Sequence, residues 1–195
     1  MPIEDDLYHL RVLIIGPEDT PYQYGYYFFD VKIPDRYPHE PPKTKTMTQG
    51  HGVRFNPNLY VDGKVCVSIL NTWRGPQWTS CLNLRSVFIS VQSLLNENPL
   101  HNEPGYENDE GDKNKDYNEL IAYANFSIAI RDMMTKPPAG YEIFLPIMRE
   151  NFIKNYQKIR NKIVKFNPRN SVVSTSVYNC KMNVDIPALL EELDI

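Results

Sequence analysis

Apolar and polar positions alternate in blocks along this chain, and the blocks predict its elements. From Leu7 to Ile33 the runs LYHLRVLIIGP and YYFFDVKIP flank the turn-rich GPEDTPYQYG. Two β-branched and aromatic runs separated by Gly, Pro and Asp predict an antiparallel hairpin. In RYPHEPPKTKTM the prolines lack an N–H, which bars a central strand and leaves a short one near Lys43 to Met47. FNPNLYVDGKVCVSIL places Cys66 in a run with the look of a buried strand, behind Asn56-Pro57-Asn58 and Asp62-Gly63. Farther on, Leu84, Val87, Phe88, Val91, Leu94 and Leu95 recur at helical spacing behind Asn83, a residue suited to cap a helix.

The polar stretch NPLHNEPGYENDEGDKNK precedes a second helix expected from Asp116 to Met134, closed by Lys136-Pro137-Pro138. A third helix is predicted in LPIMRENFIKNYQKIRNKIV, with Pro146 in its first turn and Met148, Phe152, Tyr156, Ile159 and Ile163 along one side. KFNPRNSVVSTSVYNCKMN reads as a loosely ordered linker, and VDIPALLEELDI as a short amphipathic helix with Asp185 near its start. Strands first and helices after predict an α+β domain, an antiparallel meander sheet packed on one face by a helix with other helices at one end. The expected division is a domain over 7–164 and a C-terminal extension over 165–195.

Composition narrows the function classes. The chain has 195 residues, 42% hydrophobic, without the run of about 18 apolar residues that a membrane span needs. A net charge of -3 offers no broad cationic surface. Neither nucleic acid nor a membrane is therefore an expected partner. MPIEDDLYHL has no cationic segment followed by an apolar one, and Pro rather than Gly stands second. No signal peptide and no myristoylation are expected, and the protein is expected inside the cell, cytoplasmic or nuclear. Three widely spaced cysteines, Cys66, Cys81 and Cys180, suit free thiols better than disulfides or a zinc site, so no metal is expected.

Turn chemistry at Asn56-Pro57-Asn58 and Asp62-Gly63 folds the chain back and brings Cys66 near Asn58. A thiolate is a good nucleophile, a thioester a good acyl donor, and a neutral amide can donate to the oxyanion between them. The plainer alternative makes Cys66 a small buried hydrophobe and Asn58 a turn residue. A papain-like hydrolase needs a histidine base, and His9, His39, His51 and His101 all lie in contexts that read as surface or packing.

GPEDTPYQYGYYFFDVKIPDRYPHEPPK, RFNPNLYVDGKVCVSIL and WTSCLNLRSVFISVQSLLNENP closely resemble the catalytic domain of ubiquitin-conjugating enzymes, the E2 family, in order and spacing. The resemblance runs from about Leu7 to Glu103 and more loosely beyond. NTWRGPQW and NEPGYE resemble the large-E2 subgroup, the Use1 type and the conjugating domains of E2/E3 hybrids. It implies the ubiquitin-conjugating (UBC) fold, no cofactor, and Cys66 as the cysteine that takes ubiquitin or a ubiquitin-like protein from the E1 activating enzyme. Asn58 matches the asparagine of the family's His-Pro-Asn motif, which supports the oxyanion or the active-site loop. Asn56 replaces that motif's histidine. Glu103 matches the acidic gate residue that orients or deprotonates the incoming lysine amine of a protein substrate, whereas Ser68 stands where some members carry a second acid.

The resemblance also implies that an E3 ligase docks on the loop Arg36 to Pro42, with Tyr37, Pro38 and His39, and on Gln77 to Leu82, with Ser80 and Cys81. His39 and Ser80 depart from the usual residues there, which implies unusual ligase choice. Cys81 and Cys180 read as packing or half-exposed thiols. An inactive E2-like variant, acting as a ubiquitin-binding or scaffold module, is the alternative, although such variants lack the cysteine. E2 domains usually open with an amphipathic helix, and MPIEDD is too short for one, since even a marginal helix needs about 12 residues. The first helix is therefore expected to be absent, with the chain a shortened form of a longer one. The alternative has IPALLEELDI docking at the sheet edge in its place.

Overall fold

Strand β3, Tyr26–Lys32, is the centre of the sheet, and its sequence says why. Tyr26, Tyr27, Phe28, Phe29 and Val31 are all buried, a run that only a strand covered on both faces would carry. In this computed structural model, which describes residues 2–3 and 6–193, β3 lies between β2 (Asp6–Ile15) and β4 (Lys43–Thr46). Both pairings are antiparallel, with Val12 opposite Phe29 and Val31 opposite Thr44. The short β1, Pro2–Ile3, adds to the free edge of β2. The order β1-β2-β3-β4 is the expected meander. At the β2–β3 turn, a Cβ on Gly16 would sit 1.7 Å from the Tyr22 carbonyl oxygen, so only glycine lets the chain close there.

Asn83 caps α1 (Leu84–Leu94) as predicted, its side-chain oxygen accepting from the Ser86 N–H at 3.1 Å. Val87, Val91 and Leu94 face the core. The second helix starts a turn before its expected bound: α2 spans Asp112–Ala124, passes into a π-wound stretch, Asn125–Asp132, and ends in α3, Met133–Thr135. Wider winding keeps Asn125 to Ile130 buried in succession. Within it the Asn125 side chain accepts from the Tyr27 hydroxyl at 2.7 Å and donates to the Gln23 carbonyl at 2.9 Å, tying helix to hairpin. Helix α4, Leu145–Lys165, buries Met148, Phe152, Ile159 and Ile163 as its spacing predicted. Its start covers the second face of β3, where the Tyr26 hydroxyl donates to the Met148 carbonyl and Phe28 packs on Tyr141 and Phe144. The sheet is thus covered on both sides at β3, rather than on the single face expected.

The C-terminal segment corrects the sequence reading. The stretch expected as a loose linker contains an antiparallel hairpin, β5 (Val172–Thr175) and β6 (Cys180–Asn183), with Val173 opposite Met182. Val173, Thr175, Cys180 and Met182 are its buried positions, and β5 packs along α2. Arg169 fastens the approach to the hairpin, bonding Asp116 and Glu119 of α2. Asp185 caps α5, Ile186–Leu193, through the Ala188 N–H at 2.9 Å. α5 packs on α4 and on the π-wound stretch through Leu189 and Leu193, with Arg131 paired to Glu192 at 3.0 Å. It does not sit at the sheet edge, which removes the expectation that it substitutes for an opening helix. Among the described residues no helix precedes the sheet, and none is long and apolar enough to cross a membrane.

Candidate active site

The stretch around Cys66 is not the buried strand its apolar content suggested. It makes only lone bridges, Asn56 with Leu59, Leu59 with Val65 and Lys45 with Lys64, before a 3₁₀ turn at Ser68–Leu70. Turn chemistry dominates. The Gly63 N–H donates to the Tyr60 carbonyl at 3.0 Å, Gly63 has φ +90°, and the Lys64 N–H reaches the Asp62 side chain at 3.0 Å. This reversal lays Asn58 beside Cys66, as the turn residues predicted. The Cys66 N–H donates to the Asn58 carbonyl at 2.8 Å, and the Asn58 side-chain amide donates to the Cys66 carbonyl at 2.5 Å. Both residues are buried. The Asn58 side-chain oxygen has no hydrogen-bond partner among the described residues.

Asn56 holds the other end of the turn. It is fully buried, accepts from the Asn58 N–H at 2.9 Å, and donates to the Leu94 carbonyl at 2.7 Å and the Tyr22 hydroxyl at 3.2 Å. Tyr22 in turn donates to the Phe55 carbonyl at 2.6 Å, and burial pushes its phenol well above the usual tyrosine range. One primary amide therefore ties the turn to both the end of α1 and the β2–β3 hairpin.

Glu103 follows the 3₁₀ turn Pro99–Asn102 and is only partly buried. Its backbone is fixed on both sides, its N–H donating to Leu100 at 2.9 Å and its carbonyl accepting from Tyr106 at 3.0 Å across Pro104-Gly105, where Gly105 has φ +89°. Its side-chain Oε2 accepts from the Tyr178 hydroxyl at 2.6 Å. The Tyr178 ring packs edge-on to Tyr117, with centroids 5.5 Å apart, and lies 4.4 Å from the Arg54 guanidinium. That guanidinium also covers Tyr60 at 3.7 Å and bonds the Pro57 carbonyl. Sequence reasoning missed Arg54, Tyr60 and Tyr178. The first two flank the Asn-Pro-Asn turn and were within reach of a cation–π reading; nothing local to Tyr178 marks it.

The two loops read as partner surfaces do come together. The Trp78 indole N–H donates to the Pro38 carbonyl at 2.7 Å, the Tyr37 and Trp78 rings lie 5.9 Å apart, and His39 Nδ1 is 3.1 Å from the Ser80 hydroxyl. His39, Ser80 and Cys81 are exposed. The loop Asn71 to Trp78 joins this surface to Cys66, because the Thr72 hydroxyl donates to the Val65 carbonyl at 2.8 Å and accepts from the Val67 N–H at 3.0 Å. His9 and His101 bond Asp30 and the Asp109 carbonyl. Cys180 is buried, which raises its thiol pKa. No cluster of His, Cys, Asp or Glu among the described residues is arranged to hold a metal ion.

A meander sheet with a thiol locked to an asparagine in a turn at its margin defines a class, and sequence comparison names it. A family model described as ubiquitin-conjugating enzyme matches residues 1–124, and the chain belongs to that family. It is 45% identical over 159 residues to the Homo sapiens "Ubiquitin-conjugating enzyme E2 Z", covering 80% of this chain and 45% of that protein. The Danio rerio protein of the same name is 44% identical over 159 residues, covering 80% of this chain and 48% of the relative. The Homo sapiens "Dual E2 ubiquitin-conjugating enzyme/E3 ubiquitin-protein ligase BIRC6" is 45% identical over 148 residues, 69% of this chain and 3% of that protein. The chain thus spans about half the length of the E2 Z relatives it matches.

Proposed function

We propose that this chain is an active conjugating domain over 7–164, followed by a C-terminal extension over 165–195, taking ubiquitin or a ubiquitin-like protein onto Cys66. The reading is carried by the paired hydrogen bonds between Asn58 and Cys66, in a turn pinned at Asn56. The Cys66 thiolate attacks the thioester presented by E1 and expels the E1 thiolate, keeping the acyl group on sulfur. A lysine amine then attacks that carbonyl, and the oxyanion collapses with release of the Cys66 thiolate and formation of an isopeptide bond. Asn58 acts by holding the Cys66 backbone in place, since its amide donates to the Cys66 carbonyl. Glu103 orients the amine or takes its proton. An E3 ligase docks across Tyr37, Pro38, His39, Ser80 and Cys81, where an indole-to-backbone bond holds the two loops as one surface.

Incubation with E1, ATP and ubiquitin tests the reading. The expected result is a thiol-reducible adduct that Cys66→Ser converts to a slower-forming adduct resistant to thiol, because oxygen is the poorer leaving group. A reducible adduct on Cys66→Ser would move the nucleophile to Cys81 or Cys180.

A further inference from the structure

The conjugating chemistry proposed above uses residues up to Glu103, yet the Glu103 carboxylate is bonded by a residue 75 positions downstream. A glutamate side chain has three rotatable bonds, and a partly exposed one samples many rotamers unless something holds it. Here the Tyr178 hydroxyl bonds one carboxylate oxygen at 2.6 Å. Burial, together with the neighbouring carboxylate, pushes the Tyr178 phenol well above its ordinary range, so it remains a protonated donor. Its own position is set by Tyr117 and Arg54, and the Tyr117 hydroxyl donates to the Arg54 carbonyl at 2.6 Å. Arg54 bonds Pro57, next to Asn58. One connected set of contacts therefore runs from the C-terminal hairpin to Glu103 and to the turn that carries Asn58.

We propose that Tyr178, between β5 and β6, is a positioning residue for Glu103, so that the C-terminal hairpin completes the site for lysine attack. This rests on the reading of Glu103 as the group that meets the incoming amine. The hydroxyl, rather than the ring, carries the effect, since the contacts to Arg54 and Tyr117 survive without it.

Single-turnover discharge of preloaded ubiquitin to free lysine tests this with Tyr178→Phe, Glu103→Gln and the double variant. Tyr178→Phe should load from E1 at the wild-type rate, which also reports an intact fold. Its discharge should slow about tenfold, the low end for a hydrogen bond to a charged group. The double variant should be no slower than Glu103→Gln alone, because both changes remove one function. Wild-type discharge by Tyr178→Phe, beside slow discharge by Glu103→Gln, overturns the positioning role and leaves the Glu103 reading standing. Losses that multiply in the double variant overturn it as well. Unchanged discharge by Glu103→Gln overturns the Glu103 reading and, with it, this proposal.

Discussion

Asn56 satisfies three buried groups with one short side chain: the Leu94 carbonyl, the Tyr22 hydroxyl and the Asn58 N–H. Asn56→Ala leaves the Asn58 N–H without its acceptor, whereas the Leu94 carbonyl keeps the Asn102 amide at 3.2 Å and the Tyr22 hydroxyl keeps the Phe55 carbonyl. A buried polar group left unpaired costs about 1–3 kcal/mol. A loss of about 2 kcal/mol is expected, which for a chain of this size lowers Tm by about 4–8 °C. Thermal unfolding measures it, and a Tm unchanged to within about 1 °C would show that water replaces the amide at no cost. At Asn58 the expectation is kinetic. Asn58→Ala should leave E1 loading close to wild type and slow discharge to free lysine by up to about a hundredfold, the lower bound for loss of an oxyanion donor. The smaller effect is expected because the amide is engaged by the Cys66 carbonyl rather than aimed at open space. Wild-type discharge would remove Asn58 from the transfer step. The Asn58–Cys66 juxtaposition was legible because turn residues act locally, while the Glu103–Tyr178 bond was not, since nothing in either neighbourhood points across 75 residues.

Among the elements, those with long apolar periods were read correctly in kind. β3, α1 and α4 each present enough buried positions for the pattern to stand out, β2 was legible from its β-branched run although only Ile14 in it is buried, and Asn83 marked its helix start through its own hydrogen bond. The strands β5 and β6 escaped because each has four residues and two of their four buried positions are Thr175 and Cys180. Their alternation is real but short, and what covers it is α2, a partner that no local pattern reveals. The apolar run at Cys66 erred the other way, since its backbone groups are taken by turn partners instead of a ladder. The hairpin invites a test at its own scale. Val173 is fully buried, so Val173→Asp puts an unpaired carboxylate under the hairpin. Amide exchange in Val172–Thr175 and Cys180–Asn183 should then accelerate at least about tenfold while β3 amides keep their protection. Equal acceleration in β3 would show that hairpin and sheet unfold as one unit.

Across the whole molecule, phenols are a recurring means of joining distant segments. Tyr22, Tyr26, Tyr27 and Tyr117 donate to Phe55, Met148, Asn125 and Arg54, and burial holds all four phenols well above the ordinary tyrosine range. Tyr141 and Tyr178 are raised in the same way. In the unfolded chain these phenols ionise near about 10. Above that pH the folded state binds more protons than the unfolded one, so the slope of stability against pH is negative. The contribution is complete below about pH 10 and is lost as pH rises through the folded values. An alkaline titration should therefore show these six phenols ionising together with loss of ellipticity, and phenolate absorbance that rises fully while the fold persists would contradict it. The two tryptophans are distributed very differently from the tyrosines. Trp73, 36% exposed, and Trp78, 8% exposed, both lie in the loop between Cys66 and the surface made by Tyr37, His39 and Ser80. Excited selectively, the protein emits from that loop alone, so one wavelength reports both whether Trp78 keeps its place against Pro38 and what approaches Trp73. Engagement at either flank becomes an optical signal, followed in real time without a label.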